Sequence, residues 1–111
     1  MSAITTHVLD VSRGRPAGGV PVTLEIRSKD GWKMLGGGRT DPDGRAHELS
    51  GEDVDAGVYR LTFDTAAYFR AWNIEGFYPE VEVMFEIRDP AQDYHVPLLL
   101  SPYGYSTYRG T

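Results

Sequence analysis

The chain has 111 residues, the size of one domain, and a formal net charge of −5. That acidic balance excludes the basic stripe a phosphate backbone requires, so nucleic acid is not an expected partner. There is no cysteine, which removes disulfides and thiolate chemistry, and no apolar run approaches the roughly 20 residues of a membrane-spanning helix.

Residues 4–11 alternate, with Ile4, Thr6 and Val8 against Thr5, His7, Leu9 and Val11, and predict a strand with apolar residues on both faces. Gly14, Pro16, Gly18 and Gly19 mark residues 12–19 as a loop. Val22, Leu24 and Ile26 then alternate with Thr23, Glu25 and Arg27, the pattern of a half-buried strand. After a turn at Lys29, Asp30 and Gly31, residues 32–35 begin a third strand, which Gly36, Gly37 and Gly38 weaken. The glycine run is not a phosphate loop, because it lacks a Gly-Lys-Ser/Thr ending and a following helix.

Thr40-Asp41-Pro42-Asp43-Gly44 reads as a tight turn in which proline presets φ and Gly44 supplies a positive φ. Residues 45–49 resume as a short strand with Arg45, His47 and Leu49 on one face, and residues 50–57 form an acidic loop. Tyr59, Leu61 and Phe63 alternate with Val58, Arg60 and Thr62 in a further strand. Residues 64–72 are the helical candidate, with Asp64 as N-cap and Tyr68, Phe69 and Trp72 in one apolar stripe. Val81, Val83, Phe85 and Ile87 alternate with Glu82, Met84, Glu86 and Arg88. Residues 94–100 are a strand, Ser101-Pro102 a turn, and residues 103–109 the last strand, whose Tyr-Ser-Thr-Tyr run is strong strand chemistry. About eight short strands, one short helix, regular turns and no internal repeat predict an all-β fold. The expected architecture is a two-sheet antiparallel β-sandwich forming a single domain over residues 1–111.

The strand at residues 94–100 carries the most information. Tyr94, Val96, Leu98 and Leu100 point one way, and His95, Pro97 and Leu99 the other. A sandwich buries one face of each sheet, so the second face should be polar. Here it is not, and the first strand behaves the same way with His7, Leu9 and Val11. Another subunit covering the outer face of one sheet is the simplest account. At this chain length roughly two-thirds of the unfolded surface is buried, so association would add useful burial. If the two strands share that sheet, His7 and His95 both lie on the covered face, and Arg45 joins them from the fourth strand.

Each of these residues has a plainer reading when taken alone. A single strand histidine is more often packed or at the surface than catalytic. Arg45, one residue past a turn, would be a solvated charge, and His47 a rim residue on the same strand. Zinc fits poorly, since the three histidines include no close-spaced ligand pair and cysteine is absent. Ser101 and Ser106 sit in no nucleophile elbow. No metal or cofactor is expected. The C-terminal end is unusual, because terminal residues fray unless something ties them down. This one is aromatic, contains Arg109 and stops at Thr111, so its last residues are expected to occupy a defined place.

Four segments together resemble the 5-hydroxyisourate hydrolases, the enzyme branch of the transthyretin-like family. They are Thr6-His7-Val8-Leu9-Asp10, Asp43-Gly44-Arg45, His95-Val96-Pro97-Leu98-Leu99-Leu100-Ser101-Pro102 and Tyr108-Arg109-Gly110-Thr111. The resemblance extends over nearly the whole chain. It implies a transthyretin-like sandwich, a homotetramer with sites at the subunit interface, and 5-hydroxyisourate as the small-molecule substrate. It also implies that His7, Arg45 and His95 are catalytic and that His7, Arg45, Tyr108, Arg109 and Thr111 contact the substrate. Family members usually end in serine; Thr111 keeps the hydroxyl and adds a methyl. A non-catalytic transthyretin-like carrier is the alternative, although such carriers lack the two histidines and the tail. An immunoglobulin-like accessory domain would call for a secretion signal or a larger host chain. Residues 1–7 show no basic region leading into an apolar stretch, so a cytoplasmic location is expected.

Overall fold

Apolar alternation draws the strands into two sheets that face each other across one core. The computed structural model describes residues 3–47, 49–50 and 54–111. The first sheet contains β1 (Ile4–Asp10), β2 (Arg15–Pro16), β5 (Arg45–Ala46), β8 (Tyr94–Ser101) and β9 (Gly104–Thr107). Its order is β2-β1-β8-β9, with β5 also pairing with β1. The second sheet runs β4-β3-β6-β7, from β3 (Pro21–Ser28), β4 (Gly31–Arg39), β6 (Gly57–Phe63) and β7 (Val81–Ile87). Val8, Val96, Leu98 and Leu100 on one side meet Val22, Leu24, Leu61 and Phe63 on the other, all buried. Burial of a side chain of this size contributes about 1.5–3 kcal/mol.

The β1–β8 pair is parallel, whereas the other described pairs are antiparallel. Here the structure differs from the wholly antiparallel expectation. Parallel neighbours need a long crossover connection, and the entire second sheet lies between β1 and β8 in sequence.

The two outer faces differ in chemistry. On the second sheet Arg60 lies between Glu25 at 2.7 Å and Glu82 at 3.7 Å, with its guanidinium 4.3 Å from the Trp32 ring. Met34 and Met84 share that face, paired with Glu25 and Arg60, and stand exposed on it. The outer face of the first sheet instead carries half-buried Leu9 and Leu99 and buried Pro97 beside the histidines.

Several local expectations change. The glycine run does not weaken the third strand, because β4 continues through it to Arg39. A Cβ at Gly36 would run into the carbonyl oxygen of Leu49, and one at Gly37 would lie 2.6 Å from that of Val22. The glycines therefore permit close backbone approach, and a register shift opposite Leu24 and Glu25 absorbs the extra residue. The strand expected over residues 45–49 stops at Ala46. Leu49 is buried while Arg45 and His47 are exposed, so Leu49 leaves their face and enters the core. Residues 51–53 of the expected acidic loop, and residue 48, lie outside the described residues. The predicted loop at residues 12–19 contains β2, and the last strand ends at Thr107 rather than 109.

The helix α1 (Thr65–Ala71) begins as predicted, with the Asp64 carboxylate accepting from the Ala67 amide at 3.0 Å. Tyr68 and Phe69 enter the core. Trp72 does not join them: it is 48% exposed and stacks under the Arg13 guanidinium, 3.4 Å from the ring centroid. No helix among the described residues is long and apolar enough to cross a membrane.

Candidate active site

The turn at residues 40–44 delivers the guanidinium. The Asp41 side chain accepts from the Asp43 amide at 2.9 Å and the Arg45 amide at 3.0 Å, while the Gly44 amide donates to the Asp41 carbonyl at 2.8 Å. Gly44 has φ +79°, a conformation that side chains rarely adopt. Its carbonyl accepts from the Val8 amide at 2.7 Å, which docks the turn on β1. β5 then pairs with β1 so that Arg45 stands beside His7.

On the other edge of β1, the parallel register sets Thr5 beside His95 and His7 beside Pro97. Alternate residues of a strand share a face, so Thr5, His7, His95 and Arg45 all point outward. The His7 Nε2 lies 2.9 Å from the Asp43 carbonyl oxygen. A carbonyl only accepts, so Nε2 carries the proton, and in the neutral ring Nδ1 keeps the lone pair. The Nδ1 of His95 lies 2.8 Å from the Thr5 hydroxyl.

The C-terminal end is tied down, as expected. The Gly110 amide donates to the His95 carbonyl at 2.8 Å and forms a bridge to it. Arg109 donates through Nη2 to the Gln92 Oε1 at 2.9 Å, and its guanidinium lies 4.5 Å from the Tyr94 ring. The result is a groove of about 560 Å³ bounded by Thr5, Arg45, His47, His95, Arg109 and Thr111.

The electrostatics follow from that crowding. Burial lowers the His95 pKa below its ordinary value, and the nearby Arg45, His7 and His47 lower it further. Both causes favour the neutral form of the imidazole beside the Arg45 guanidinium. Among the described residues, no group of three or more His, Asp or Glu side chains is placed to hold a metal ion.

The structure brings Arg45, His95, Arg109 and Thr111 around one groove, with His7 at the adjoining outward position of β1. Tyr108 is placed elsewhere. The chain leaves β9 at Thr107, and Tyr108 lines a separate groove of about 300 Å³ with Met84 of β7 and Val96. Arg109 borders both grooves. His47, expected at the rim, does line the histidine groove, two residues beyond Arg45 on the same side. Thr5 was not singled out by sequence, and Gly110 entered only as part of the terminal Tyr108-Arg109-Gly110-Thr111 segment. Thr5 carried a faint signal, since it shares the outward face with His7, but nothing local revealed that β8 would place His95 against it.

Fold and site together define a transthyretin-like β-sandwich with a cluster of imidazoles and guanidinium groups on the outer face of one sheet. The chain belongs to the HIUase/Transthyretin family, whose pattern matches residues 4–110. It is 50% identical over 111 residues to a probable 5-hydroxyisourate hydrolase of Caenorhabditis elegans, covering 99% of this chain and 82% of that one. Among solved structures it resembles the Klebsiella pneumoniae 5-hydroxyisourate hydrolase, with a TM-score of 0.89, 36% identity and full coverage of both chains. Sea bream transthyretin, solved in complex with thyroxine, matches with a TM-score of 0.90 at 34% identity over 97% of this chain and 94% of that one. The two solved structures, one titled a hydrolase and one a transthyretin, thus share this chain's backbone.

Proposed function

We propose that this protein hydrolyses 5-hydroxyisourate to 2-oxo-4-hydroxy-4-carboxy-5-ureidoimidazoline, a step in urate degradation. The observation that carries the reading is the meeting of His7, His95 and Arg45 on one sheet face, through the registers of β1 with β8 and β5. Water attacks the amide-type carbonyl of the six-membered ring, a new C–O bond forms, and the ring C–N bond breaks. The proton lost by water passes through imidazole to the departing nitrogen. Histidine suits this shuttle near neutral pH, and a positioned base of the kind supplies about 10²- to 10⁴-fold.

Arg45 holds the flat, anionic, carbonyl-rich ring through its planar fork. It also stabilises the charge that develops on the carbonyl oxygen, where one fixed donor is worth about 3–4 kcal/mol. Arg109 and Thr111 close the groove at its C-terminal side, with the Thr111 hydroxyl or the terminal carboxylate as a polar contact. Tyr108 reaches the substrate from the neighbouring groove, which it lines and which Arg109 also borders.

The working unit is a homotetramer in a cytoplasmic setting, with the sites between subunits. The run of Leu9, Pro97 and Leu99 on the outer face of the first sheet supports a covered groove. The likeness to sea bream transthyretin keeps a carrier as the second reading. Ultraviolet decay of freshly generated 5-hydroxyisourate, with and without protein, separates the two. Acceleration over the spontaneous rate is expected; an unchanged rate would put the carrier ahead.

A further inference from the structure

We propose that Thr5 and Gly110 are positioning residues that clamp the His95 ring in one orientation and one tautomer. The proposal deepens the hydrolase reading and rests on it for its kinetic part.

Three contacts hold the residue. Thr5 Oγ1 sits 2.8 Å from Nδ1. The Gly110 amide donates to the His95 carbonyl at 2.8 Å. Gly110 also leaves room for the Cδ2 side of the ring: a Cβ there would stand 2.6 Å from Cδ2, 3.4 Å from Cγ and 3.2 Å from the Pro97 Cγ. The backbone of Gly110 is not in the left-handed region, so only the space taken by the ring calls for glycine.

Rotating the ring by half a turn would exchange Nδ1 for Cδ2. The Thr5 hydroxyl would then face a carbon, and Nδ1 would turn toward Gly110, whose amide already donates to the His95 carbonyl. Neither arrangement keeps a hydrogen bond, so one orientation is held and Nε2 with Cε1 forms the free edge. The Thr5 hydroxyl has Nδ1 as its hydrogen-bond partner in the structure. In this clamp the half-buried hydroxyl donates its proton to Nδ1. The ring hydrogen therefore resides on Nε2, and resting His95 presents a donor to the groove. Thr5 is a spacer on β1 and Gly110 the penultimate residue of the chain, so the tail acts on the chemistry through His95 as well as by closing the groove.

The test combines kinetics with ¹⁵N–¹H spectra of the His95 ring, assigned by comparison with His95→Gln. The wild type should show Nδ1 unprotonated and a single tautomer at pH 7. Thr5→Val, nearly isosteric, should give mixed tautomers and lower kcat roughly 5- to 20-fold with little change in KM, from loss of one oriented hydrogen bond. Thr5→Ser should restore both. Gly110→Ala should shift the Cδ2 proton and lower kcat by up to about 10²-fold, the cost of a misplaced catalytic group. A proton on Nδ1 in the wild type, or unchanged ring signals in Thr5→Val even with slower turnover, overturns the proposal. If the wild type leaves 5-hydroxyisourate untouched, the functional reading fails while the ring spectra still decide the clamp.

Discussion

Replacing Tyr68 by phenylalanine should destabilise this protein by an amount the structure allows to be worked out. Asp10 ends β1, the strand that carries His7, and is 1% exposed. Its carboxylate accepts from the Tyr68 hydroxyl at 2.7 Å, the Ser12 hydroxyl at 2.6 Å, and the Ser12 and Arg13 amides at 3.1 and 3.2 Å. Tyr68→Phe keeps the ring in the core, so no cavity forms. It removes one charge-assisted bond from a buried anion, worth about 1.5–3 kcal/mol. The entropy of unfolding for a domain of this length converts each kcal/mol into roughly 4 °C, so Tm should fall by about 6–12 °C.

The same substitution has a signature at high pH. Burial first, then the hydrogen bond to Asp10 and its charge, push the Tyr68 pKa up from 10.0 to about 12. A group whose folded pKa is raised contributes fully below its unfolded value. That contribution is lost as pH climbs from 10.0 toward about 12. Thermal unfolding followed by circular dichroism at pH 7 and across the alkaline range reads both effects. A Tm within about 2 °C of the wild type at pH 7, with the same alkaline loss, would refute the assignment of Asp10 as an anion held by Tyr68.

Other perturbations address the groove. Arg45→Met should lower kcat by about 10²- to 10³-fold, as expected for loss of one oxyanion donor. It should also move the acid limb of the rate profile upward, because Arg45 is one of the charges holding the His95 pKa down. The lowered folded pKa of His95 gives a stability contribution that is present above pH 6.5 and lost as pH falls below it; urea midpoints should show this loss, and His95→Gln should flatten it. Removing Arg109, Gly110 and Thr111 should cut turnover while far-ultraviolet circular dichroism stays the same, and undiminished turnover would remove the tail from the mechanism. Gly44→Ala should cost at least about 1–2 kcal/mol, since φ is +79° there and the new Cβ meets the Val8 carbonyl. It should slow turnover too, because that turn carries Arg45.

Much of the fold and part of the groove were legible in the order of residues. Alternation placed Val81–Ile87 and the two faces of Tyr94–Ser101 correctly, and turn chemistry located residues 40–44 with Gly44 at positive φ. The Asp64 cap was readable for the same reason. Strand period, caps and turns are set by neighbours a few positions apart, so sequence alone determines them. His7 and His95 could be assigned to the outward faces of their strands from that period.

Beyond the set of His7, His95 and Arg45 that the resemblance implied, which outward residues meet was not legible. Thr5 and His95 touch across 90 positions of chain, and the contact exists because β1 and β8 pair in parallel with one register. A slip of one residue would have turned the histidines into the core. Leu49 leaving the Arg45 face and Tyr108 turning toward β7 were likewise decided by where the chain runs after each short strand ends. The residues determined what each strand offers to either side; the packing of two sheets determined which of those offers converge, because register is chosen by the buried face and the outward face follows it.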